Sequence, residues 1–195
     1  MTSFLVSNLS GSFALFGIES RYQGVFFHSN GQMLRVIAAI VRSEKKGAVR
    51  NSLFEVTRQR GTGQEAFWFA YRLPVFFYDS DSASEIVLDC KQNFDNREWG
   101  RHYEFSKEEG VLLIHFKKED DAHEQGKGEY DCWLAFTGCA FEQIDKWEEQ
   151  CYSYDEQRKS PPFSRYVLRG VRANGSFVLA FAHSKDDAKR LAVTS

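Results

Sequence analysis

Proline is scarce in this chain, three residues in 195, and its four cysteines stand singly, with no CxxC pair among them. Isolated cysteines exclude the paired-thiol zinc and redox motifs. The opening stretch MTSFLVSNLSGSFALFGIES has no basic region ahead of its apolar residues, so it reads as a first strand or two and not as a secretory leader. Cys90, Cys132, Cys139 and Cys151 are therefore expected to be reduced thiols in a cytoplasmic protein. No window reaches the roughly 18 unbroken apolar residues of a spanning helix, so no membrane partner is expected.

Phosphate loops and metal signatures are missing too. RQRGTGQ (58–64) carries two glycines but joins two strand-like runs, whereas a phosphate cradle needs a helix after the loop. His115, His123, Cys132 and Cys139 match no zinc spacing, and Ala83 and Cys90 stand where a calcium loop needs oxygen donors. The chain calls for no cofactor and no metal.

Aromatics, by contrast, are abundant: 18 Phe, 8 Tyr and 4 Trp. With so little proline they point to strands and an aromatic core. The net charge of −2 hides a segregation. Arg21 to Arg60 holds eight basic against two acidic residues, 61–164 holds 11 against 22, and the end from Arg165 holds six against two. Such asymmetry either cancels between neighbouring segments or steers a charged partner.

Strand signals run the length of the chain. RYQGVFFHSNGQMLRVIAAIVR (21–42) has Asn30-Gly31 between two apolar runs, the signature of a tight hairpin. SEKKGAVR (43–50) reads as a solvated connection. SLFEVTRQ, QEAFWFAYR, VFFY, EIVLDC, HYEF, GVLLIHF and EYDCWLAFT follow as strands. In AFEQIDKWEEQCYSY, Phe141, Ile144, Trp147, Cys151 and Tyr154 recur three and four residues apart, which predicts a helix over about 140–154. Ser184 with Asp187 makes a capping box ahead of a short C-terminal helix over about 185–192. The expected class is α+β, strand-rich, with a mostly antiparallel sheet or half-barrel and those two helices. It spans residues 1–195 as one domain, or as two similar-sized sub-domains meeting near 117–128.

The final hairpin, RYVLRGVRANGSFVLAFA, has three arginines in its first strand. Simple alternation leaves neither face clean. A β-bulge at Gly170 would turn Tyr166, Leu168, Val171 and Ala173 to the core and Arg165, Arg169 and Arg172 together to the other side. FVLAFAHSKDDAKRL is similar to the third strand and second helix of an RNA-recognition-motif domain, which would imply nucleic-acid binding on the sheet. Gly175 and Ala180 stand where that family stacks bases on aromatics.

One enzyme-like pattern is present. Asp79 or Asp81 precedes a strand ending in Asp89 and Lys91, the order in which PD-(D/E)xK nucleases place two Mg²⁺-holding acids and a lysine. The polar tract 117–131 reads as a surface loop that could serve as an acidic interaction finger. Weighed together, these features favour a non-catalytic macromolecule-binding protein (an assembly component, adaptor or inhibitor) that docks a protein partner through a sheet face and polar loops. The alternatives are nucleic-acid binding through Arg165, Arg169 and Arg172, and a Mg²⁺-dependent nuclease at Asp79, Asp81, Asp89 and Lys91. Oligomeric state is not readable from these residues.

Overall fold

The computed structural model describes residues 3–29, 31–92, 101–118 and 130–195. In chain order the described elements are β1 (Phe4–Ser7), β2 (Phe13–Phe16), β3 (Gly24–Ser29), β4 (Gln32–Val41), β5 (Lys46–Asn51), β6 (Glu55–Arg60), β7 (Gly63–Phe69) and β8 (Val75–Ser80). They continue with β9 (Ser84–Gln92), β10 (Arg101–Glu108), β11 (Val111–Lys118), β12 (Tyr130–Thr137), β13 (Phe141–Cys151), α1 (Ser153–Gln157), β14 (Ser164–Ala173), β15 (Phe177–Ala182) and α2 (Lys185–Thr194).

The strands form two antiparallel sheets, ordered β1-β2-β3-β4-β9-β14-β13 and β10-β11-β12-β15-β8-β7-β6-β5. One hydrophobic cluster draws on both, and its centre is aromatic. Phe27 of the first sheet stacks on Phe181 of the second with ring centroids 5.5 Å apart, and Phe4 meets Phe67 at 5.0 Å. Strand β4 is buried from Leu34 to Ile40, as its near-continuous apolar run requires for a strand covered on both faces. Helix α2 lays Ala188 and Ala192 on the outer face of the second sheet, against Val75, Val111, Leu113, Ala135 and Ala180. Its cap forms as read, with the Asp187 backbone N–H donating to Ser184 Oγ at 3.2 Å.

The α+β expectation with a long helix over 140–154 is overturned. The protein is mostly β, and that segment is the edge strand β13 followed by the single-turn helix α1. The cause of the misreading is specific. Pairing between β13 and β14 slips between Gln143 and Lys146, and Asp145 inside the slip has φ +52°. Ile144 and Asp145 stand opposite the single residue Gly170, and this one extra residue shifts the side-chain parity, so Phe141 and Trp147 fall opposite the core-facing Ala173 and Leu168 at a spacing that mimics helical turns. The charged residues along the strand suit an edge that must not pair with another chain.

SEKKGAVR also differs from its reading as a connection, because its second half is the edge strand β5. All but one of the β5 residues are exposed, so no apolar alternation marks it in the sequence. The junction considered near 117–128 and the tract 117–131 lie mostly outside the described residues. No helix among the described residues is long and apolar enough to cross a membrane.

Candidate functional site

The three arginines of β14 do not form one surface. Pairing with β9 slips between Arg169 and Val171, at Gly170, and Leu168, Val171 and Ala173 enter the core while Tyr166 stays half-exposed. Arg169 and Arg172 share the Glu85 carboxylate at 2.7 and 2.8 Å, and Arg169 also reaches Glu148 at 2.7 Å. Glu142 lies 3.7 Å from Arg172. The Glu85 carboxyl is held below the usual carboxylate range, first by its hydrogen bond from Arg172 and then by the nearby Arg169 charge.

Arg165 has a different fate. It is buried, with its Nη1 3.1 Å from Asp89. Asp89 is itself fully buried and also takes hydrogen bonds from Arg101 at 2.5 Å and from Arg35. Arg35 donates onward to the Tyr152 hydroxyl at 3.2 Å and to the Arg21 carbonyl at 2.7 Å. Burial works against the Arg35 charge, but Asp89 and Tyr152 outweigh it and hold the guanidinium protonated well above its ordinary value.

The acidic candidates are likewise dispersed. Asp79 accepts from Ser176 Oγ at 2.5 Å on the outer side of β8, and Asp81 pairs with Arg42 at 3.1 Å. Asp89 lies five residues beyond Ser84 along β9, roughly 16 Å of extended chain past the end where Asp79 and Asp81 sit. The Lys91 side chain lies outside the described set. Asp89 is thus a charge hub, and it does not meet the other two acids. No cluster of three or more His, Cys, Asp or Glu side chains able to hold a metal occurs among the described residues. Ser29 Oγ lies 2.9 Å from His183 Nε2, and the Asp131 carbonyl 3.3 Å from His183 Nδ1, a polar tie between β3 of the first sheet and β12 and β15 of the second.

The residues that stand out lie elsewhere, on the β5–β6 hairpin. Asn51 pairs with Val56, and Ser52 closes the turn by hydrogen bonds to the Glu55 carbonyl from its N–H at 2.8 Å and its Oγ at 3.0 Å. The two residues at the tip are Leu53, 85% exposed, and Phe54, 63% exposed. Tip positions of short hairpins favour glycine, asparagine or aspartate. Two large apolar side chains here stand in solvent and gain no packing in return.

The apolar surface continues around the tip. Register between β6 and β7 pairs Glu55 with Trp68, which carries the tip alongside the chain leaving β7 at Ala70 and Tyr71. Asn8 Nδ2 holds that turn through the Ala70 and Leu73 carbonyls, both at 2.9 Å, and the Leu9 N–H donates to the Tyr71 carbonyl. Leu9, Tyr71 and Leu73 are all exposed there. The flank is basic: Arg50 lies near the tip on β5, and the Arg72 guanidinium sits 5.4 Å over the Tyr71 ring.

Buried charge stiffens the base of the hairpin. Arg58 and Arg60 share the parity of Val56 and point inward, and both Nε groups donate to Glu65 Oε1, Arg60 at 2.6 Å. The Tyr78 hydroxyl donates to Glu65 Oε2 at 2.8 Å. Burial pushes the Tyr78 phenol pKa up, with Glu65 adding to the shift. Sequence reading passed over these residues because arginine and glutamate in a strand are ordinarily taken as its wet face. Parity was the available signal: Arg58 and Arg60 alternate with exposed Glu55 and Gln59, and Glu65 falls in step with Phe67 and Phe69.

Comparison with known protein families, with curated proteins and with solved structures finds no match.

Proposed function

We propose that the protein is a non-catalytic docking protein, and that the β5–β6 hairpin inserts Leu53 and Phe54 into an apolar cleft with an acidic rim on a protein partner. The observation that carries this reading is the pair of large apolar residues at the hairpin tip, where no neighbour covers them. Each left uncovered forgoes roughly 1.5–3 kcal/mol of burial, which a bound partner recovers. Aromatic and aliphatic anchors surrounded by further apolar surface are the usual centre of an interface. The basic flank of Arg50 and Arg72 favours an acidic rim on the other side. We place the protein in the cytoplasm, where Cys132, Cys139 and Cys151 remain free thiols.

Nucleic-acid binding through Arg165, Arg169 and Arg172 has less support. Phosphate would have to displace Glu85, Glu142 and Glu148, and to reach a buried Arg165. A Mg²⁺ site at Asp89 would have to compete with three arginines.

The test is the double variant Leu53→Ser, Phe54→Ser. Exposed substitutions of this kind change stability by only about 0.5 kcal/mol. The variant should keep the wild-type melting temperature and lose co-migration with its partner on size-exclusion chromatography of a native extract. Unchanged co-migration would refute the hairpin as the docking element.

A further inference from the structure

We infer that the cleft at the root of the β5–β6 hairpin binds a small organic oxyanion, a carboxylate or phosphate monoester carried on a short apolar body. The cleft has a volume of about 190 Å³. It is lined by the cations Arg42, Lys46, Arg58 and Arg60, by the apolar Phe16, Ala39, Ile40 and Val41, and by Gly17 and Gln23.

The cations are held in place and only partly neutralised. Arg42 is bound by Glu44 at 2.7 Å and Asp81 at 3.1 Å. Arg58 and Arg60 share one carboxylate, Glu65, through their Nε atoms. Arg60 Nη1 is taken by the Glu44 carbonyl at 3.1 Å. Arg60 Nη2 and both terminal nitrogens of Arg58 make no hydrogen bond among the described residues. The Arg58 guanidinium is fixed by the Phe4 and Phe67 rings, at 5.2 and 5.3 Å. Among the described residues no carboxylate lies within ion-pair distance of Lys46.

Arg58 and Arg60 thus share one carboxylate at the wall of a cavity, Lys46 beside them has none at ion-pair distance among the described residues, and guanidinium N–H groups are unused. A rigid guanidinium fork with unused N–H groups suits the geometry of an oxyanion. The Lys46 ammonium carries the mark of this imbalance: burial, then repulsion from Arg58 and Arg60, holds its pKa below the ordinary lysine value. The cavity is smaller than the roughly 300 Å³ at which drug-sized sites begin, yet holds the volume of about six waters. Phe16, Ile40 and Val41 would be poor neighbours for a fully hydrated inorganic ion, so an apolar body behind the charged head fits better.

The experiment is calorimetric titration of the full-length protein with hexanoate, phenyl phosphate, inorganic phosphate and the neutral control hexanol. It is repeated on Lys46→Glu, an exposed substitution that places a carboxylate in the mouth, with circular dichroism confirming the fold. Saturable binding of hexanoate or phenyl phosphate is expected, weaker for inorganic phosphate and absent for hexanol. Lys46→Glu should weaken the organic anion by at least about tenfold, since it turns an attractive charge at contact range into a repulsive one. Three results would each overturn the proposal: no binding of either organic anion, equal binding by Lys46→Glu, or inorganic phosphate binding as tightly as phenyl phosphate.

Discussion

Asp89→Asn removes a single charge where three guanidiniums converge. Asp89, Arg35, Arg101 and Arg165 are 0, 1, 6 and 2% exposed, so water cannot compensate. Asparagine keeps one acceptor oxygen but not the charge, leaving donors of Arg35, Arg101 and Arg165 facing an amide. Removing one partner of a buried ion pair costs about 3–5 kcal/mol, against about 5–15 kcal/mol for a whole domain. For a chain of this size each kcal/mol moves the melting temperature by about 2–4 °C, so a fall of roughly 6–20 °C is expected. With a urea slope near 2–3 kcal/mol/M, the midpoint should drop by about 1–2.5 M. Urea titration followed by tryptophan fluorescence and by circular dichroism measures this directly. The double variant Asp89→Leu, Arg35→Leu should lose less than the sum of its singles, because the two groups interact. A carboxylate kept for metal binding behaves in the opposite way: its removal relieves repulsion and leaves stability unchanged or raised. An unchanged or raised midpoint for Asp89→Asn would refute the hub.

Two further outcomes concern backbone and pH. Gly24 sits at φ +129°, and a Cβ there would run into the Ile37 carbonyl oxygen of the neighbouring strand, so Gly24→Ala should cost several kcal/mol and appear as loss of folded protein on expression. Glu44 is lowered to about 2 by its hydrogen bond from Arg42, and Glu85 is lowered by Arg172 and Arg169. Both bind protons more weakly when folded, so their contribution is complete above the ordinary value of 4.5; that of Glu44 is lost as pH falls toward 2, and that of Glu85 as pH falls through its lowered folded value. Carboxyl carbon NMR should place the Glu44 midpoint near 2, and a midpoint above 4 would contradict the pairing.

How far the fold could be read from the sequence follows from where each signal is local. The β3–β4 hairpin, the buried run of β4 and the Ser184 cap are written in neighbouring residues and formed as expected, whereas Asn174-Gly175 closes no hairpin: it carries the chain from β14 in the first sheet to β15 in the second. The division into two sheets depends on pairings such as β4 with β9 and β12 with β15, between segments far apart in the chain, and nothing nearby announces them. Strand β13 was misread because a bulge at Ile144-Asp145 gave a strand the spacing of a helix. Strand β5 was missed because an exposed edge need not alternate. The arginine row was visible, but its neutralisation by Glu85, Glu142 and Glu148 requires β9 and β13 to flank β14. Leu53 and Phe54 were visible as an apolar pair inside SLFEVTRQ, and only the turn at Ser52 distinguishes tip residues from a strand's buried side.

The most direct measurement is site-specific photocrosslinking in the native cell extract. A photoreactive phenylalanine analogue is placed at Phe54, and a control is placed at Val193, which is also exposed, at the far end of α2. The Phe54 probe should yield one discrete adduct with an acidic protein, and Arg50→Glu with Arg72→Glu should diminish it. Equal labelling from both positions, or none from Phe54, would contradict the account.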